Sequence, residues 1–64
     1  MKKEARIITN YRFGEECYDI EIKNVDGTWD LCGGYVLKDE LVHNGIIDKI
    51  MSLIIQGYTI YDER

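Results

Sequence analysis

Apolar and polar residues alternate in three short runs along the first half of the chain. The odd positions of residues 4–13 are mostly apolar, the even positions of residues 17–23 are apolar, and residues 28–35 alternate again. Alternation with a period of two predicts half-buried β-strands. We therefore predict a three-stranded antiparallel meander with one apolar face. That face is lined by Ile7, Tyr11, Phe13, Tyr18, Ile20, Ile22, Trp29, Leu31 and Tyr35.

The dipeptide Asp26-Gly27 predicts the turn between the second and third strands. A type I′ turn needs positive φ at both central residues, and Asp-Gly is a favoured pair for it. A two-residue loop here pairs Ile22 with Leu31 and Tyr18 with Tyr35. The apolar residues of the third strand then share a face with those of the second, whereas a slip of one residue would reverse them.

The first hairpin has two possible registers. A two-residue loop sets Arg6 opposite Lys23, a like-charge pair that costs stability. We prefer a four-residue loop, which pairs Phe13 with Tyr18 and places Arg12 opposite Asp19. Gly33-Gly34 predicts a bulge or a bend in the third strand.

The apolar residues of 46–55 recur at helical spacing, while polar residues fall four apart on the other side. Asn44 is a suitable N-cap and Gly57 a suitable C′ residue, so we predict a helix between them. Residues 58–62 alternate and predict a short last strand. The chain is predicted to be a single α+β domain spanning residues 1–64, in the order β-β-β-α-β. The last strand can lie beside strand one, beside strand three, or in a second copy.

The apolar side chains of residues 46–55 sweep an arc of about 200°, twice what a helix on one sheet needs. We assign Ile46, Ile50, Leu53 and Ile54 to the sheet. The remainder needs a cover, either residues 36–44 of the same chain or a second molecule. A chain of 64 residues has little core of its own, which favours a homodimer. The predicted dimer interface consists of Ile47, Met51, Ile55 and Tyr61.

Charge and composition narrow the class of partner. Twelve acidic and eight basic residues give a net charge of −4, which argues against binding to nucleic acid or to anionic membranes. No run reaches ~18 apolar residues and no signal peptide is recognisable, so we expect a cytoplasmic protein without a membrane span. Asp19, Glu21 and Asp30 are predicted to form an acidic outer face of the sheet, suited to a basic protein partner.

No group of residues predicts catalysis or a cofactor. His43 is too far along the sequence from Cys17 and Cys32 to match a metal-site spacing, and the role of the two cysteines stays open. We therefore expect a small non-enzymatic interaction, inhibitor or accessory protein that is homodimeric and offers its acidic sheet face to a partner. The alternative is a small-molecule-binding module or minimal enzyme with its site at the dimer interface.

Overall fold

The computed structural model describes residues 2–64, which form one sheet and one helix. The elements are β1 (Glu4–Arg12), β2 (Glu15–Lys23), β3 (Trp29–Val36), α1 (Val42–Ile55) and β4 (Thr59–Asp62). The strand order in the sheet is β3-β2-β1-β4. The predicted α+β fold and its β-β-β-α-β order are confirmed. The last strand pairs in parallel with β1, which is one of the placements the sequence left open.

The core lies between α1 and one face of the sheet, which we call the inner face. Its centre consists of Ala5 and Ile7 of β1, Ile20 of β2 and Leu53 of α1, none more than 3% exposed. Larger, partly buried side chains surround these four, among them Tyr35 of β3. Burying one large aliphatic side chain, such as Ile or Leu, contributes about 1.5–3 kcal/mol to the free energy of unfolding. This small cluster is therefore a major source of stability. The opposite side of the sheet is the outer face.

The first hairpin closes with a two-residue turn at Phe13-Gly14. Both residues have positive φ, +53° and +77°, as a type I′ turn requires. The turn pairs Arg12 with Glu15, so neither predicted register is correct. The error came from extending the apolar alternation of the first strand as far as Phe13. Phe13 is fully exposed in the turn, and Tyr11, also predicted on the apolar face, is 68% exposed.

The second hairpin has a three-residue loop, Val25–Gly27, in place of the predicted two-residue loop. The Gly27 N–H donates to the Asn24 carbonyl at 3.0 Å, and only Gly27 in the loop has positive φ, +89°. The carboxylate of Asp26 favours the three-residue loop, since it accepts hydrogen bonds from the backbone N–H of Thr28 at 3.0 Å and from the Thr28 hydroxyl at 2.6 Å. Such local side-chain bonds favour turn conformations that the dipeptide rule ignores.

The longer loop changes which side chains of β3 reach the core. Trp29 and Leu31 now pair with Lys23 and Glu21 and lie on the outer face, whereas they were predicted on the apolar inner face. A β-bulge before Gly33 then shifts the register by one residue. Beyond it the predicted pairing of β2 with β3 holds, including the pair Tyr18 and Tyr35.

The helix begins earlier than predicted and ends as predicted. It starts at Val42, so Asn44 lies inside the first turn and is not the N-cap. At the other end Gly57 has φ +94° and donates its N–H to the Ile54 carbonyl at 3.0 Å. The next N–H bonds to the Leu53 carbonyl at 3.0 Å, which completes a Schellman motif.

Candidate interaction surface

Four large apolar side chains project from α1 away from the sheet. Ile47 is 54% exposed, Met51 56%, Ile54 56% and Ile55 83%. They lie within an arc of about 100°, which is the width of the apolar stripe that one helix face normally buries. We call these four residues the outer helix stripe. The chain thus carries a second apolar helix face that its own sheet leaves uncovered.

The position of this stripe follows from the start of the helix. Because α1 begins at Val42, the buried side consists of Val42, Ile46 and Leu53, with Ile50 half-buried beside them. At 100° per residue, the mean direction of these four side chains lies about 30° from that of the four predicted to face the sheet. Ile54 was predicted to face the sheet and was wrongly assigned for this reason. The missed signal was Val42, which continues the apolar spacing by one turn.

Tyr61 does not belong to the outer helix stripe. It lies on β4 and pairs with Arg6 on the outer face of the sheet, where its hydroxyl donates to Glu4 Oε1 at 3.4 Å. Ile47, Met51 and Ile55 come together on the helix, but the sheet separates them from Tyr61. Its role in a dimer interface therefore remains a prediction that concerns a different surface.

Asp19 is buried, although it was predicted to be part of an exposed acidic face. Its carboxylate accepts hydrogen bonds from Arg12 at 2.6 Å, from the Asn10 amide at 2.9 Å and from the Cys17 thiol at 3.7 Å. Burial alone would raise the pKa of Asp19, but these hydrogen bonds and the charge of Arg12 together hold the pKa below its ordinary value. The predicted cross-strand pairing of Arg12 with Asp19 is wrong, since Arg12 lies opposite Glu15, but the Arg12 side chain still reaches Asp19 and forms an ion pair with it.

The other two predicted acidic residues lie on opposite sides of the sheet. Glu21 is on the outer face and pairs with Arg6 at 2.7 Å, while the guanidinium of Arg6 stacks on Trp29 with 4.2 Å to the ring centroid. Asp30 pairs with Ile22 and is exposed toward the inner side, because of the loop and the bulge in the second hairpin. The structure therefore does not bring Asp19, Glu21 and Asp30 together as one acidic surface.

The reactive residues are dispersed. Cys17 is buried and Cys32 half-buried, both as free thiols, and His43 is exposed in the first turn of α1. Within residues 2–64 no group of three or more His, Cys, Asp and Glu side chains is arranged to hold a metal ion. Two open surface depressions measure about 490 and 410 Å³. The alternative of a small-molecule site between subunits stays a prediction.

Comparison with known proteins adds no functional assignment. No family model, curated protein or solved structure matches the chain. Among the described residues no helix is long and apolar enough to cross a membrane.

Proposed function

We propose that this chain is a small non-enzymatic interaction protein, acting as an accessory or inhibitory subunit, that binds another protein chain through the outer helix stripe. The observation that supports this most is the exposure of Ile47, Met51, Ile54 and Ile55 on one side of α1. Isolated apolar residues are common on protein surfaces, but a contiguous set of four on one helix face is a frequent feature of docking sites.

The size of the outer helix stripe supports the proposal. The exposed fractions of the four side chains add up to between two and three fully exposed side chains. A fully exposed Ile or Met side chain presents somewhat less surface than an aromatic one, so the four together offer roughly 400 Å² to solvent. Patches of about 300–600 Å² on single chains are often functional. Burying this apolar surface, which equals two to three whole side chains, would contribute a binding free energy of about 4–7 kcal/mol from this side of an interface. That gain is of the same order as the cost of association, about 4–15 kcal/mol.

The predicted acidic sheet face supports the proposal less. Asp19 is enclosed by its own hydrogen-bonding partners, and Glu21 already has Arg6 as a partner. A basic partner would have to compete with these intramolecular pairs. The four apolar side chains of the outer helix stripe have no such competitor among residues 2–64.

Affinity capture with three baits tests the proposal. The baits are the wild-type chain, a Met51→Lys/Ile55→Lys variant, and a Leu31→Lys control that alters a side chain on the outer face of the sheet whose exposure is close to that of Met51. We expect the wild type and the control to retain a defined protein, another chain or further copies of this one, that the stripe variant loses. Identical sets of proteins on all three baits, with folding verified by circular dichroism, would contradict the proposal.

A further inference from the structure

We infer that the outer helix stripe docks onto the same stripe of a second copy, with the two helices antiparallel and Met51 at the twofold axis. This inference rests on the proposed function and names the partner. Three features support it: the spacing of the residues in the stripe, the area they present, and the absence of charge among them.

The spacing is symmetric about Met51. Ile47 lies four residues before it and Ile55 four residues after it, so the three side chains form one ridge of the i±4 kind on the helix surface. When two identical helices cross in antiparallel directions at Met51, Ile47 of each copy lies against Ile55 of the other. Ile54 flanks the ridge and widens the contact. A twofold interface requires such a self-complementary surface, because both copies contribute the same residues.

The area is sufficient for a weak dimer. The stripe residues of two copies would bury roughly 800 Å² in total, and the residues flanking the stripe would bring this to about the 1,000 Å² that a specific interface needs. This lies at the lower end for specific interfaces, so we expect a dissociation constant in the micromolar range, roughly 1–100 µM.

The four stripe side chains are uncharged, so a second copy covers them without burying unpaired charge. The nearest charged side chain on the helix is the exposed Asp48, which lies beside Ile55 and falls at the solvated rim of this contact. The two chains nevertheless carry a net charge of −4 each, and their repulsion acts over a distance that salt shortens. We therefore expect added salt to tighten the dimer, whereas a contact held by opposite charges would weaken.

Sedimentation equilibrium of the full chain, over chain concentrations of about 1 to 500 µM, tests the dimer. The mass should rise from 7.5 kDa toward twice that value. Met51→Lys should keep the mass at that of the monomer, because it places two ammonium groups together at the axis. Leu31→Lys should leave the rise unchanged. Met51→Gln provides a milder variant in case the lysine variant fails to fold.

Disulfide trapping tests the antiparallel arrangement. Under oxidising conditions a mixture of Ile47→Cys and Ile55→Cys chains should form mainly the mixed dimer, and each chain alone should form little. The wild-type chain controls for Cys17 and Cys32. A parallel arrangement would instead give strong cross-linking of each variant with itself, which would overturn the proposed geometry.

The outcomes separate this inference from the proposed function. A monomeric mass at every concentration overturns the inference, as does a dimer that Met51→Lys leaves intact. If a monomeric chain still captures another protein only when its stripe is intact, the proposed function stands and only the identity of the partner is wrong. If neither a dimer nor a stripe-dependent partner is found, both fail.

Discussion

The outer face of the sheet carries charged residues, and the outer face of α1 carries apolar ones. The charged carboxylate of Asp19 is nevertheless more deeply buried than the apolar side chains of the outer helix stripe. Asp19 is 0% exposed, whereas Ile55 is 83% exposed. The difference arises from local partners. Asp19 has a guanidinium, an amide and a thiol from the same two strands within bonding reach. Ile55 lies on the side of α1 that the sheet leaves uncovered, and residues 2–64 bury little of it. Polarity alone therefore does not distinguish the residues that stabilise this fold from those available to a partner.

Among positions on the two outer faces, replacing the buried carboxylate should give the largest effect. Asp19→Ala removes hydrogen bonds to a charged group, each worth about 1.5–3 kcal/mol, but also removes the cost of burying that charge. We expect a loss of about 2 kcal/mol in the free energy of unfolding, measured by urea denaturation. Asp30→Ala, at an exposed position on the next strand, should change it by less than about 0.5 kcal/mol. Equal effects would show that Asp19 is solvated like Asp30.

Acid should remove part of the Asp19 contribution. The folded-state pKa of Asp19 lies below the ordinary value of 3.8, so its stabilising contribution is fully present well above pH 3.8 and declines as the pH falls through the folded-state value. The difference in melting temperature between the wild type and Asp19→Asn should therefore be largest near neutral pH and narrower at about pH 3. Asp26 and Asp62, whose pKa values are also lowered, are present in both chains and cancel. A difference that is independent of pH would contradict the assignment.

Gly34 gives a test of how tightly Asp19 is held. A Cβ at Gly34 would lie 3.3 Å from Asp19 Oδ1, and the three partners of Asp19 leave it little freedom to move. Gly34→Ala should therefore destabilise the wild type by about 1 kcal/mol but should not destabilise Asp19→Ala, which gives a coupling within the range known for contacting residues. Additive effects in the double variant would show that the carboxylate moves freely.

The sequence predicted the element types and order correctly because alternation and helical spacing reflect which residues face the core. It failed at the turns, where single side chains decide. Asp26 selects the longer loop through bonds to Thr28, and Phe13 adopts positive φ against its steric preference. Each change moved neighbouring side chains to other pairing positions. The outer helix stripe was predicted in three of its four residues. The acidic face was not, because the longer loop moved Asp30 to the inner side and because Asp19 is covered by its own hydrogen-bonding partners.

Substitutions in the outer helix stripe should have the smallest effect on the folded monomer. Ile54→Gln replaces an apolar side chain that is 56% exposed and lies outside the core, so the free energy of unfolding should change by less than about 0.5 kcal/mol. The neighbouring Leu53→Ala should instead cost about 2–5 kcal/mol, because Leu53 is 3% exposed in the core. The measurement is urea denaturation at a chain concentration of about 0.1 µM or less, where the proposed dimer is mostly dissociated. A large loss for Ile54→Gln under these conditions would mean that the stripe is packed within the monomer. The contrast between the two outer faces would then disappear, and with it the main support for an interaction function.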